Sequence, residues 1–333
     1  MKVVTCVGYH DTGSGAVDDY LRGFDNIAQS AYGVECRFLQ DPDCISDLEY
    51  NIIENPHRLN TGYALKRYLR FVKLNHHTYS LIFGDAWDQE SKKYIDSLTR
   101  FAYQGYWSGD MMLMSSWKRF TYYFRRAINK VVPKTFKKPS TWNYFPKEKT
   151  MHCSVTKEEF LEKTRDYVNS LLFAMNPENR DIVVLDQAVS AKNISRYLKY
   201  LPYGSKVIIV DRDPRDVFIE ETLLKGRVLP KDAKEFCEVF RDSRLKNDSS
   251  VNQDSVLEIY FEDLIYDYEN TKQLICDFVG LDSNMYNPKK SGFDPTVSVK
   301  NTRLWEKHPE FNKQVQIIEK ELPEFLYYKK AGI

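Results

Sequence analysis

The chain has 333 residues, 42% of them hydrophobic and 29% charged, which permits a sizeable core and excludes global disorder. Its formal net charge is +1, so no overall field selects nucleic acid and any basic surface must be local. The six cysteines include no CxxC pair, no apolar run approaches the roughly 20 residues of a membrane span, and the N-terminus enters a strand without a signal-peptide pattern. Zinc and a disulfide framework are therefore disfavoured, and a cytoplasmic location is expected.

In chain order, Lys2–Gly8 is β-branched and apolar and predicts a buried first strand. Gly15–Ala28 predicts a helix with Val17, Leu21 and Phe24 on one face, and Gly33–Leu39 predicts a second short strand. From Asp41 to Thr150 helices and loops are expected, including an amphipathic Leu65–Leu74, an Asp88–Phe101 that begins acidic, and Trp117–Val131. Thr156 and Glu159 form a capping box for a helix running to about Met175. Asp181–Gln187, Lys206–Val210 and Val256–Phe261 predict strands. Asn193–Leu201, a segment starting at Pro214, Asp232–Leu245, Thr271–Val279 and Pro309–Leu322 predict helices. Strands alternating with helices predict an α/β fold, a parallel-rich sheet flanked by helices. Ligands of such sheets sit at the carboxyl ends of the strands. The 23 Tyr and 19 Phe are expected mostly in the core.

The turn after the first strand, Gly8-Tyr9-His10-Asp11-Thr12-Gly13-Ser14-Gly15, has the GxxxxG spacing of a phosphate-binding loop. It lacks the Lys-Ser/Thr that follows in nucleoside triphosphatases. Without that lysine a kinase or ATPase is disfavoured, while backbone N–H groups can still converge on an anion at the helix start. Thr12 and Ser14 add hydroxyls. A dinucleotide fingerprint starting at Gly13-Ser14-Gly15 meets Asp18 where its third glycine belongs, although Glu35 could contact a ribose. A purely structural glycine turn is the remaining alternative.

A second signal is "KVIIVDRDPRDVFIE", Lys206–Glu220. A buried strand ends in Asp211-Arg212-Asp213-Pro214-Arg215-Asp216, placing two arginines beside a helix N-terminus. The plainer alternative is a salt-bridged helix start in which Asp213 caps and Arg215 and Asp216 stay solvated.

With these two stretches, "VLEIYFEDLIYDYENTKQLICDFVGL" and "SVKNTRLWEKHPEFNKQVQIIEKEL", the chain resembles the sulfotransferase superfamily of cytosolic and Golgi type, its bacterial and glycan-acting members included. The resemblance spans residues 1–281 and 298–322 and leaves 41–180 unmatched. It implies a P-loop nucleotide-binding type of fold, a single domain over 1–333, and a variable, mostly helical acceptor-binding insertion at 41–180. It also implies 3′-phosphoadenosine 5′-phosphosulfate (PAPS) as sulfuryl donor, without a metal. Tyr9, His10, Asp11, Thr12, Gly13, Ser14, Gly15 and Ala16 would surround the 5′-phosphosulfate, Arg212 would bind the 3′-phosphate, and Lys300 or Arg303 would assist. Two positions depart from the family pattern: Asp11 stands where a Lys or Arg is usual, and Glu220 where a second phosphate ligand, Ser, is usual. They keep a non-catalytic nucleotide- or glycan-binding homologue as an alternative.

Sulfuryl transfer to a hydroxyl needs a proton acceptor. Asp186, at the end of the predicted strand before the arginine strand, is the candidate base, with His10 placed to stabilise the leaving phosphate. His152 and the His76-His77 pair are substitutes. Residues 117–149 carry ten cations against one acid, interleaved with aromatics. This stretch is read as a solvated face or as a surface for an acidic glycan, a lipid-linked saccharide or an anionic membrane. A single-stranded nucleic acid fits the neutral whole less well.

Overall fold

The computed structural model describes residues 1–30, 33–57, 59–105, 107–131, 148–224, 228–245 and 252–327. The strands are β1 (Lys2–Gly8), β2 (Ile27–Gln29), β3 (Thr99–Gly105), β4 (Glu148–Cys153), β5 (Ile182–Asp186), β6 (Lys206–Asp211) and β7 (Val256–Tyr260). The longer helices used below are α1 (Ser14–Leu21), α2 (Asn60–Leu74), α3 (Ala86–Leu98), α4 (Ser116–Val131), α5 (Lys157–Met175), α6 (Pro214–Leu223), α7 (Ala233–Arg244), α8 (Tyr268–Val279) and α9 (Asn312–Glu321). The chain divides into two compact units, one comprising Met1–Gln40, Thr78–Gly84 and Val168–Ile333, the other Asp41–His77 and Asp85–Tyr167.

The first unit is an α/β assembly on a five-stranded sheet of order β2-β5-β1-β6-β7, parallel at every pairing. Its central strands are apolar runs buried on both faces, as a parallel sheet requires: Val3 to Val7 in β1, Ile182 to Leu185 in β5 and Val207 to Val210 in β6 are all buried. Val17 and Leu21 of α1 and Ile275 and Val279 of α8 pack with Val4, Ile208 and Ile259 in one core cluster. A second cluster joins Phe218 of α6, Phe236 and Phe240 of α7, and Ile318 of α9. After β1 the chain passes to β2 on one side of the sheet, and after β6 to β7 on the other. The loops leaving these neighbours therefore diverge and open a crevice at their carboxyl ends.

Several predicted elements shift. The first helix ends at Leu21, and Ile27 and Ala28, expected to be helical, fall in the edge strand β2. The strand expected over Gly33–Leu39 does not form; Cys36, Phe38 and Leu39 are buried from a non-strand backbone. Apolar character at these positions reported burial, not ladder pairing. The capping box holds: Thr156 N donates to Glu159 Oε2 at 2.9 Å and Glu159 N to Thr156 Oγ1 at 3.2 Å. Gly280 ends α8 at φ 84°, where a side chain would be strained.

The second unit contains α2, α3 and α4, and also an antiparallel pair, β3 with β4, that the sequence reading did not include. Gly62 lets α2 approach β4 closely, since a Cβ there would lie 2.0 Å from Met151 O. Its core is tyrosine-rich and hydrogen-bonded: Tyr68 donates to Tyr167 at 2.9 Å, Ser91 meets Tyr167 at 2.6 Å, and the Tyr94 and Tyr167 rings stack at 4.6 Å. All six cysteines are buried, and none forms a disulfide. Among the described residues no helix is long and apolar enough to cross a membrane.

Candidate functional site

The site is built on the turn from β1 to α1. Thr12 staples it: its hydroxyl donates to Val210 O at 2.7 Å and accepts from Tyr9 N at 3.1 Å. Gly8 makes room for that hydroxyl, because a Cβ would lie 2.3 Å from it. His10, Asp11 and Gly13 all take left-handed backbone, at φ 97°, 49° and 89°. For His10 and Asp11 this is strained by about 1–3 kcal/mol each. No side chain caps α1, so its first N–H groups remain open to an anion. Of the two predicted hydroxyl ligands, Thr12 is committed to the loop itself, whereas Ser14 accepts from Gln187 Nε2 at 2.9 Å and keeps its proton for another acceptor.

Arg212, at the end of β6, reaches this turn. Its Nη1 donates to Asp11 O at 3.0 Å and to the Glu220 carboxylate, and its Nη2 donates to Asn301 O. The guanidinium sits 5.1 Å over Phe261 and is 3% exposed. One side chain thus joins the loop, α6 and the stretch that holds Lys300 and Arg303. Asp216 fixes the same stretch by accepting from Arg303 N at 3.0 Å and Leu304 N at 2.6 Å. Burial pushes the Asp216 carboxyl up to about 7 although Arg212 opposes this. Arg303 itself lies 5.6 Å over Tyr266. Asp213 caps α6 through Arg215 N at 3.0 Å. Arg215 and Asp216, however, are buried and not solvated: Arg215 chelates Asp213, bonds Glu319 at 2.7 Å and stacks 3.7 Å from the Trp305 ring. Arg215 is a structural brace.

On the other flank of the loop lies a cavity of about 630 Å³ lined by the Gly8–Gly15 turn, Glu35, Arg37, Gln40, Asp186, Gln187 and Lys192. Asp186 ends β5, and its Oδ1 is buried without a hydrogen-bond partner. Burial, then the negative charges of Asp18 and Glu35, push its carboxyl up to about 7, against the pull of Arg22. Gln187 has φ 56° and is held by Cys6 O at 2.9 Å and by Gln40 at 2.6 Å, which aims its side chain at Ser14.

The two departures from the family pattern have distinct surroundings. Glu220 neutralises Arg212. Asp11 and Glu221 flank His10 Nε2 at 3.4 and 3.3 Å. Burial and the neighbouring Glu221 carboxyl push Asp11 up to about 6, with His10 opposing. Glu221 is lowered despite its burial, because Asp11 and the N–H groups of Val228 and Leu229 bond it. Below about pH 6 the proton they share therefore rests on Asp11, and only there is the repulsion this residue presents to an anion reduced. The ligand atoms of His10, Asp11 and Glu221 lie within 4.8 Å of one another, a donor set that a divalent cation could also use.

The structure thus brings Thr12, Gly13, Ser14, Gly15, Asp186 and Arg212 around one turn, and it ties the stretch that holds Lys300 and Arg303 to Arg212 through Asn301 O and to Asp216 through Arg303 N. Glu221, Gln187 and Gln40 were missed in sequence reading. They carry no local motif: Glu221 and Gln187 meet the loop across a long sequence separation, and Gln40 acts through Gln187. The substitute bases lie in the second unit, where His76 pairs with Asp88 at 2.7 Å and His152 stacks on Phe101 at 4.7 Å. Of the basic stretch, 117–131 forms α4, and Lys118 bonds Glu148 at 2.9 Å. Residues 132–147 lie outside the described residues.

No family model matches the sequence, and no curated protein does. Among solved structures the chain is similar to the sulfotransferase domain from the Synechococcus PCC 7002 olefin synthase, at 12% identity and a TM-score of 0.41, over 91% of this chain and 87% of that one. A likeness this distant carries no assignment.

Proposed function

We propose that the protein transfers a sulfuryl group from PAPS to a hydroxyl of a glycan or glycoconjugate. The observation that carries this reading is the shared cavity: an anion-type turn without the triphosphatase lysine faces a half-buried carboxylate whose Oδ1 has no hydrogen-bond partner and which is held near neutrality. The N–H groups of Gly13, Ser14 and Gly15 would receive the 5′-phosphosulfate. Asp186 would take the acceptor proton as the acceptor oxygen bonds to sulfur and the bond from sulfur to the phosphate oxygen breaks. The same N–H groups, with His10, would then hold the charge gained by the departing phosphate. With a carboxyl near 7, a large share of Asp186 is ionised at neutral pH and ready to act as a base.

Arg212 is the candidate for the 3′-phosphate. To bind it, the nucleotide must displace Glu220, whose side chain is 33% exposed and has room to turn outward. The Arg212–Glu220 pair is also the specific observation that favours a second reading, a nucleotide-binding homologue without transferase activity. Incubation with radiolabelled PAPS and a panel of hydroxylated glycans separates the two. Label transfer that disappears in Asp186→Asn supports the transferase, whereas nucleotide binding with no transfer to any acceptor supports the second reading.

A further inference from the structure

The donor site leaves one prominent feature unused. Helix α4 is amphipathic in the inverted sense. At 100° per residue, Trp117, Phe120, Phe124, Ile128 and Val131 fall on a single stripe. All are exposed, at 72%, 56%, 55%, 36% and 82%. Among its described side chains the helix buries Tyr122, 6% exposed, which projects from nearly the opposite side. The helix touches its unit at Tyr122, with Thr121 half-buried beside it, and turns its apolar stripe to solvent. The exposed rings are ordered against one another, with Trp117 and Phe120 stacked at 5.6 Å and Phe120 and Phe124 at 5.9 Å. Isolated exposed apolar residues need no explanation, but a continuous stripe along some 21 Å of helix marks a contact surface.

Charge selects the occupant. Lys118, Arg119, Arg125, Arg126 and Lys130 lie on this helix, and Ser116–Val131 contains no acid. Lys118 and Arg125 border one edge of the stripe, and Lys130 stands beyond Tyr123 at the other. A second copy is a poor occupant, because a two-fold pairing of this face would set cation against cation with no carboxylate on the helix to relieve it. Apolar and aromatic residues flanked by cations instead match the boundary of an anionic bilayer, where rings enter the headgroup region and cations meet lipid phosphate. We propose that α4 lies flat on an anionic membrane surface through Trp117, Phe120, Phe124, Ile128 and Val131. This inference stands independently of the donor site.

The test is sedimentation of the full chain with large unilamellar vesicles of phosphatidylcholine alone or containing about 30% phosphatidylglycerol. The protein should partition at least ~10-fold more strongly onto the anionic vesicles, and each cation removed should weaken binding by about fivefold. Arg125→Gln combined with Lys130→Gln should therefore cost roughly 25-fold. Phe120→Ser combined with Phe124→Ser, two exposed positions whose far-UV spectrum should match wild type, should remove most of the remaining affinity, and added salt should weaken wild-type binding. Equal partition onto both vesicle types, or none onto the anionic ones, overturns the proposal with the wild-type protein alone. So does sedimentation equilibrium showing a dimer that the Phe120/Phe124 variant abolishes, which would assign the stripe to self-association.

Discussion

Asp186→Asn should stabilise the protein near pH 8 and leave it almost unchanged near pH 4 (both approximate). In the fold, burial and the charges of Asp18 and Glu35 hold this carboxyl at about 7, against an ordinary value of 3.8. Between those values the folded chain keeps a proton that the unfolded chain has released. The contribution of Asp186 to stability is therefore full below the lower value, falls as pH rises through the window, and stays reduced above about 7. A shift of about three units, at 1.36 kcal/mol each, sets a ceiling of about 4 kcal/mol. Relaxation of a partly accessible carboxylate brings the expected gain to roughly 1–3 kcal/mol. Asparagine has the same shape and no charge, so it removes the penalty without opening a cavity. Urea unfolding of both proteins across this pH range gives the difference directly, and groups that titrate alike in both cancel. A difference that does not change with pH would refute the electrostatic account of Asp186, and with it the reason for choosing this residue as base.

Other predictions follow from the same geometry. Arg212→Ala should weaken adenosine 3′,5′-bisphosphate binding by roughly 1.5–3 kcal/mol, and Glu220→Gln should tighten it; calorimetry showing both constants unchanged would remove Arg212 from the site. Gly13→Ala should destabilise the fold by about 2–4 kcal/mol and disable the loop, because the new Cβ would lie 2.6 Å from the Phe261 ring at φ 89°; a wild-type urea midpoint would contradict this. Thr156→Ala should cost about 1 kcal/mol through loss of the α5 cap with no effect on nucleotide binding, so a changed binding constant would count against the separation of cap and site.

Elements whose signals are local were legible in the sequence. The Thr156–Glu159 box, Asp213-Pro214 at the start of α6 and Gly280 at the end of α8 each specify a boundary within a few residues. The buried strands β1, β5 and β6 were legible because a parallel strand covered on both faces is a continuous apolar run. The antiparallel partners β3 and β4 were not: Thr99–Gly105 is exposed along most of its length, so nothing forces an alternating pattern. The edge strand Ile27–Gln29 is three residues long and too short to interrupt helical periodicity. At the site, the loop, Arg212 and Asp186 were visible as residue types at strand ends. Their electrostatic settings were not, because those depend on partners distant in sequence: Glu221 against His10, Asp18 against Asp186, and Asn301 against Arg212.

The central claim is that the Gly8–Gly15 turn and Arg212 hold the two phosphate ends of one adenosine nucleotide. Calorimetric titration of the wild-type protein with adenosine 3′,5′-bisphosphate, beside ATP with magnesium, tests it most directly. The account predicts saturable one-to-one binding of the bisphosphate, weakened in Arg212→Ala, and much weaker binding of ATP. No heat from the bisphosphate, or preferential binding of ATP with magnesium, would contradict it.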